Sequence, residues 1–176
     1  MPEKIKLLNR GINVSAIYWA LQENPQLWNQ HTSRTEHPDS PHHGLDDIWV
    51  RFGGEKDATN NTAHMPNWYE AADVLGLKPF LRELMHSVGG DVMGGVLITR
   101  IPPGATCKPH TDNGWHALEY QKYAVQITSA PGQKFCFEGE ELETRPGDVF
   151  WFNNQHLHWV DNPTNYERIT LIACIK

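Results

Sequence analysis

Near the middle of the chain, His110-Thr111-Asp112 sets an imidazole and a carboxylate two residues apart. On extended backbone, residues i and i+2 project from the same face, so both side chains address one side of a strand. Further on, Phe152-Asn153-Asn154-Gln155-His156-Leu157-His158-Trp159 supplies two more imidazoles, His156 and His158, again two apart. Two imidazoles and one carboxylate form the facial ligand set that holds non-haem iron(II) and leaves three adjacent positions open. The candidate metal set is therefore His110 and Asp112 with either His156 or His158. His116 stands six residues past His110 (116 − 110 = 6), beyond the Asn113-Gly114 turn, and falls at the rim of such a site. The plain reading of His110 and Asp112 is a polar turn leading into Asn113-Gly114.

Arg168 opens a final run, Arg168–Ile175, in which Arg168, Thr170, Ile172 and Cys174 share one face and Ile169, Leu171, Ala173 and Ile175 the other. A guanidinium turned into a β-barrel needs an anionic partner, because an unpaired buried charge is very costly. Its planar fork suits a carboxylate. That partner is either a bound carboxylate or an Asp or Glu of the chain itself.

The elements that must position these groups follow from pattern and punctuation. Asn13-Val14-Ser15 caps a short helix through Ala16–Leu21 that Pro25 ends. Residues 29–45 form a long polar loop, and Asp47–Phe52 reads as a strand ended by Gly53-Gly54. Pro66–Leu75 and Pro79–Val88 read as two helices closed by Gly76 and Gly89. From residue 92 the chain becomes strand after strand: 92–101, 120–128, 134–137, 149–152, 156–160 and 168–175, separated by Pro, Gly and Asn turns. Such spacing implies an antiparallel sandwich or barrel with helices packed outside one sheet. The whole chain, 1–176, reads as one domain, with a helical and loop-rich support over 1–91 and a β-barrel core over 92–176.

Composition narrows the function. In 176 residues, 39% are hydrophobic and 20% charged, which supports a packed core. Fifteen Lys and Arg against twenty-one Asp and Glu give a charge of −6, which argues against a nucleic-acid binder. No run reaches the roughly 18 apolar residues of a membrane span, and the N-terminus lacks the apolar core of a secretory signal. Cys107, Cys136 and Cys174 are odd in number and unrelated in spacing, which fits neither a disulfide framework nor a Cys-based zinc site. The expectation is a cytoplasmic protein acting on a small molecule or a peptide.

With these residues in place, the chain resembles the iron(II)- and 2-oxoglutarate-dependent oxygenases. The carriers are H-x-D, a distal His 48 residues later (158 − 110 = 48), and Arg168 with Thr170 two after it. More narrowly, Ile101-Pro102-Pro103-Gly104 running to His110, and Arg145-Pro146-Gly147-Asp148 running through Phe152-Asn153-Asn154 to His158, are similar to segments of the aspartyl/asparaginyl β-hydroxylase-like branch. The resemblance implies a mostly β fold with flanking helices, the double-stranded β-helix (a jelly-roll or cupin-like barrel). It implies Fe(II), 2-oxoglutarate and O2, and release of succinate and CO2. It implies that His110, Asp112 and His158 ligate iron, His158 rather than His156 because Arg168 follows it by ten residues (168 − 158 = 10). It implies that Arg168 holds the distal carboxylate of 2-oxoglutarate, with Thr170 as a second contact and Gln126 or Lys122 as a third. Two departures stand out. The animal members of the branch lack the carboxylate that Asp112 supplies, and Asn153-Asn154 stands where two acidic residues are typical.

Around the site, Trp115, Trp151 and Trp159 flank the ligand segments as pocket walls or as core. Arg34, Arg51 and Arg100 are the cations available to a substrate carboxylate. The loop His31–Leu45, with His37, His42 and His43, is either a solvated surface or a cover for the barrel mouth; adjacent His42 and His43 do not chelate one ion well. Three other readings compete: a cupin-type metalloprotein that makes no use of 2-oxoglutarate, a zinc hydrolase lacking an evident general base, and a barrel that binds without turnover. Arg168 separates the oxygenase from the cupin.

Overall fold

In the computed structural model, residues 3–54 and 63–176 are described. Eleven strands fall into two antiparallel sheets among the described residues. The larger sheet is centred on β11 (Arg168–Ile175), which pairs with β4 (Met93–Ile101) on one side and β6 (Gln121–Thr128) on the other. It extends through β9 (Val149–Phe152) to β1 (Ile5–Asn9), and in the other direction through β2 (Asp46–Phe52) to β3 (Asn67–Trp68). The smaller sheet runs β5 (Thr106–His110), β10 (His158–Asp161), β7 (Lys134–Phe137), β8 (Glu140–Glu143). This is the expected jelly-roll: a mostly β structure with few helices. The N-terminal part contributes more to it than its loop-rich sequence suggests, since β1, β2 and β3 all complete the larger sheet.

The alternation read in β11 divides the core in two. Ile169, Leu171, Ala173 and Ile175, each at most 1% exposed, meet Ile17 and Leu21 of α1 (Ser15–Glu23) and Leu77, Leu81 and Leu84 of a later helix, Leu77–Ser87. Burying one such Leu or Ile side chain stabilises by about 1.5–3 kcal/mol. The other face of the sheet meets Phe135, Phe137 and Val160 of the smaller sheet, with Phe150, Phe152 and Ile101. Between the sheets the space widens into a cavity, and Thr170, Ile172 and Cys174 stand on its wall.

Two sequence readings need correction. The helix expected over 66–75 is a single turn, α2 (Ala71–Val74), preceded by β3, whose Trp68 pairs with Arg51. Pairing with β2 overrides local helix preference here, and the Arg51 guanidinium lies 5.0 Å over the Trp68 ring. Gly76, at φ 61°, takes the left-handed conformation that ends α2 and sets off α3, the Leu77–Ser87 helix. The strand expected over 156–160 begins only at His158, because His156 sits in the turn before it.

The connection between His158 and Arg168 is fixed by Asn162, which is 1% exposed. Its amide donates to the carbonyls of Ile101, Pro102 and Tyr166 at 3.1, 2.9 and 2.8 Å, and its oxygen accepts from Gln133 Nε2 at 3.0 Å. Asn162→Ala is expected to destabilise by about 3 kcal/mol, since each buried polar group left unpaired costs roughly 1–3 kcal/mol. Urea unfolding with an unchanged m-value is the check; a loss under about 1 kcal/mol contradicts the assigned role.

Candidate metal and co-substrate site

Strand pairing sets His158 directly opposite His110 in the smaller sheet. Their rings lie 4.3 Å apart between centroids. Asp112 follows the end of β5, and its backbone N–H donates to Asn154 O at 2.9 Å. One ligand atom from each of His110, Asp112 and His158 falls within 4.8 Å of the others, and His110 Nε2 lies 3.7 Å from Asp112 Oδ1. The geometry brings the three sequence candidates together. His156 is outside the group; its carbonyl accepts from His158 Nδ1 at 2.8 Å. His110 Nδ1 donates in the same way to Lys108 O at 2.7 Å. A carbonyl can only accept, so both imidazoles carry their proton on Nδ1 and present a bare Nε2 to the cavity.

Electrostatics favour ligation. Burial, then the neighbouring His110, lowers His158 to about 4, and burial likewise lowers His110. Burial alone raises the Asp112 carboxyl, but the Lys122 ammonium, by charge and by hydrogen bond, holds it well below the usual carboxylate range. His158 and an amide hydrogen bond from Asn154 Nδ2, at 3.1 Å, act in the same direction. Asn154 thus supplies the support that an acidic residue was expected to give.

Arg168 is 1% exposed and has no carboxylate partner among the described residues. Its Nη1 donates to Thr144 Oγ1 at 3.0 Å, while Nε and Nη2 are buried with no hydrogen-bond partner among the described residues. Burial lowers it to about 10, so it stays charged at neutral pH. Its strand neighbours Ile101 and Thr170 face the cavity, and Arg168 sits behind them. Thr144 Oγ1 in turn donates to Gln126 Oε1 at 2.9 Å. Gln126 Oε1 also takes Thr170 Oγ1 at 3.3 Å, and Gln126 Nε2 donates to Thr128 O and Ile169 O. The Gln126 amide is spent on the protein, so its part is to hold Thr144 and Thr170 rather than to touch a ligand. Lys122 does line the cavity.

The cavity measures about 600 Å³. Of the three candidate arginines only Arg34 reaches it, held by Asp47 Oδ2 at 2.5 Å. Arg100 pairs with Asp46 at 2.8 Å and stacks on Trp28, and Arg51 lies against Trp68. Trp115 lines the cavity, whereas Trp151 and Trp159 donate to Gln121 and Asp161 away from it. From the 29–45 loop, Arg34, Pro41 and His42 line the cavity. His116 lines the wall with its Nε2 accepting the Gly95 N–H at 3.1 Å; a Cβ on Gly94 would lie 2.9 Å from that nitrogen. His42, Cys107 and Thr144 were not legible as site residues, because nothing in their local spacing distinguishes them.

A family model described as aspartyl/asparaginyl β-hydroxylase matches residues 18–176. Among solved structures, the chain is similar to a prolyl-4-hydroxylase from Pseudomonas putida (13% identity, 98% of this chain and 92% of that chain, TM-score 0.61). It is similar to an oxidoreductase of the 2OG-Fe(II) oxygenase family from Burkholderia pseudomallei (13%, 96% and 93%, 0.60). A viral collagen prolyl hydroxylase from Paramecium Bursaria Chlorella virus-1 is similar too (13%, 98% and 96%, 0.58). At this identity the structural likenesses speak for the fold. No curated protein matches the chain in sequence. Among the described residues no helix is long and apolar enough to cross a membrane.

His116 is lowered to about 4, first by burial and then by Lys122 and His64, and it shares that value with His158. Unfolded, both imidazoles titrate near 6.5. As pH falls from about 6.5 toward 4, the unfolded chain takes up protons that the folded chain refuses, so stability is full above this window and declines through it. Urea unfolding of metal-free protein across that range is expected to show the decline, shallower in His116→Gln and in His158→Gln. Equal slopes in all three proteins count against the assignment.

Proposed function

The chain belongs to the aspartyl/asparaginyl β-hydroxylase family, and from that premise we propose that it is an iron(II)- and 2-oxoglutarate-dependent dioxygenase hydroxylating an amino acid or an Asp/Asn-type side chain. The carrying observation is Arg168: a fully buried guanidinium whose Nε and Nη2 have no hydrogen-bond partner among the described residues. An orphaned cation at that depth is costly unless a ligand completes it. Nε and one Nη form the edge that takes a carboxylate in bidentate fashion. A cupin metalloprotein accounts for the three metal ligands and leaves that edge unexplained.

In this reading His110, Asp112 and His158 hold iron through Nε2, a carboxylate oxygen and Nε2. When bound, iron and 2-oxoglutarate supply the oxidising chemistry: O2 is consumed, 2-oxoglutarate leaves as succinate and CO2, and one oxygen atom enters a substrate C–H bond. The chain's own groups bind and orient. Arg168 clamps the distal carboxylate, with the Thr170 hydroxyl beside it. Lys122, displaced from Asp112 by the metal's greater charge, offers its ammonium to the carboxylate at the metal end. The loop carrying Arg34 and His42 covers the cavity and keeps bulk water out.

Anaerobic titration of the iron-loaded protein with 2-oxoglutarate is expected to give the weak visible charge-transfer band of the chelate. Arg168→Ala abolishes it at concentrations that saturate wild type, and Arg168→Lys restores little, lacking the fork. Iron binding without a band moves the assignment to the cupin reading. Thr144→Val leaves Arg168 Nη1 unpaired and is expected to weaken 2-oxoglutarate binding about tenfold while iron affinity is unchanged. Succinate formation, screened against free amino acids and short Asp- or Asn-containing peptides, identifies the substrate.

A further inference from the structure

The 29–45 loop does more than roof the cavity. Its half-buried His42 packs against β5, with Nδ1 3.4 Å from Cys107 Sγ and its ring 4.9 Å, edge to face, from His110. The loop is pinned in that position: Lys108 N–H donates to Pro41 O at 2.9 Å, and Ser40 Oγ donates to Arg34 O at 2.5 Å. Ligand atoms of His42, Cys107 and His110 all lie within 4.8 Å of one another. These residues lie beside the facial triad and share one member with it.

We propose that His42, Cys107 and His110 form a second metal site, selective for thiophilic cations of the zinc class, whose occupation excludes a metal from the His110–Asp112–His158 set. The donor chemistry is a thiolate with two imidazoles, which zinc and cadmium prefer and which suits iron(II) less well. The spacing agrees. Zinc bonds of about 2.3 Å to sulfur and about 2.0 Å to nitrogen, at a tetrahedral angle, put S and N about 3.5 Å apart. The His42–Cys107 pair stands at 3.4 Å before any ion is bound.

Exclusivity follows from His110. Its Nδ1 is committed to Lys108 O, so Nε2 is the one nitrogen it can give to either set. One lone pair serves one ion. Binding in the second site replaces the Cys107 Sγ–H proton, which is released to solvent, with a bond to the metal. Zinc-class ions bind N and S donors more tightly than iron(II) does, so they act as inhibitors of iron loading. The binding itself stands on the Cys107 set alone; the exclusion of iron rests on the triad reading above.

The test uses the full-length metal-free protein and cadmium(II) alone. Cadmium is expected to raise an ultraviolet thiolate-to-metal charge-transfer band that saturates at one equivalent. Cys107→Ser removes the band, His42→Ala weakens binding at least tenfold, and Cys136→Ser leaves the band intact. Asp112→Ala also keeps the band, because it takes a ligand from the triad only. Manganese(II), followed by its electron paramagnetic resonance signal, reports the triad: wild type binds it, Asp112→Ala does not, and cadmium releases it from wild type at tenfold lower concentration than from His42→Ala. No band in wild type, or an equal band in Cys107→Ser of native circular dichroism, overturns the second site. A cadmium band without manganese binding leaves the second site standing and removes the triad reading instead.

Discussion

Everything at this site depends on one register, the antiparallel pairing that sets His158 opposite His110. A slip by one residue would turn either side chain to the opposite face of the sheet and separate the two imidazoles. The register is held from both sides. β10 also pairs with β7, where His158 faces Phe137 and Val160 faces Phe135. Phe135 and Val160 belong to the apolar layer between the sheets, so slippage would carry them out of the core. Metal-ligand geometry is in this sense a by-product of apolar burial. The two backbone carbonyls that accept from Nδ1, that of Lys108 within β5 and that of His156 in the turn before β10, complete the orientation of each ring.

The charges are organised along β11 and its neighbours. Lys122 lies across from Cys174 at one end of the cavity, and Arg168 lies at the other, with Thr170 and Ile172 between them. Lys122 meets the Asp112 carboxylate directly. Arg168 meets only a hydroxyl, fixed by Gln126 through Thr144. Of these two cations Arg168, behind the cavity wall, is the one without a carboxylate among the described residues. The Gln126 side chain, fully buried and bonded through both its amide atoms, keeps Thr144 from turning away from the guanidinium. A weakly polar scaffold of hydroxyl and amide leaves the arginine's charge free for a partner that comes from outside.

Much of this was legible in the chain. Strands 134–137, 149–152 and 168–175 stand where pattern and turn residues put them, since period-two burial and Pro-Gly punctuation act locally. His110 and Asp112 were legible as a pair because i and i+2 share a face of extended backbone, whereas His158 and Arg168 were singled out through the family resemblance. The helix expected over 66–75 failed because Trp68 gains a partner, Arg51, seventeen residues earlier (68 − 51 = 17) in β2, whose own register is set by β4, and propensity carries no record of such pairing. His42 and Thr144 were invisible for a related reason. Each reaches the site from a turn, and only the folded chain brings His42 to Cys107, 65 residues away, or Thr144 to Arg168, 24 residues away.

Charge balance in and behind the cavity bears on what it accepts. Among the described residues three cations, Arg34, Lys122 and Arg168, stand against two carboxylates, Asp47 and Asp112. The lowered histidines contribute none at neutral pH. With the proposed divalent metal and dianionic co-substrate bound, their charges cancel, and the cavity keeps the same single excess of positive charge. In a low-dielectric space such an excess favours a further anion. Arg34 is the cation nearest the covering loop, and its Nη1 is already bound to Asp47, which fixes the guanidinium in place rather than neutralising the site as a whole. Under the proposed function, a substrate bearing a carboxylate, as amino acids and aspartyl side chains do, matches that residual charge; a neutral substrate of the same size would leave it unanswered.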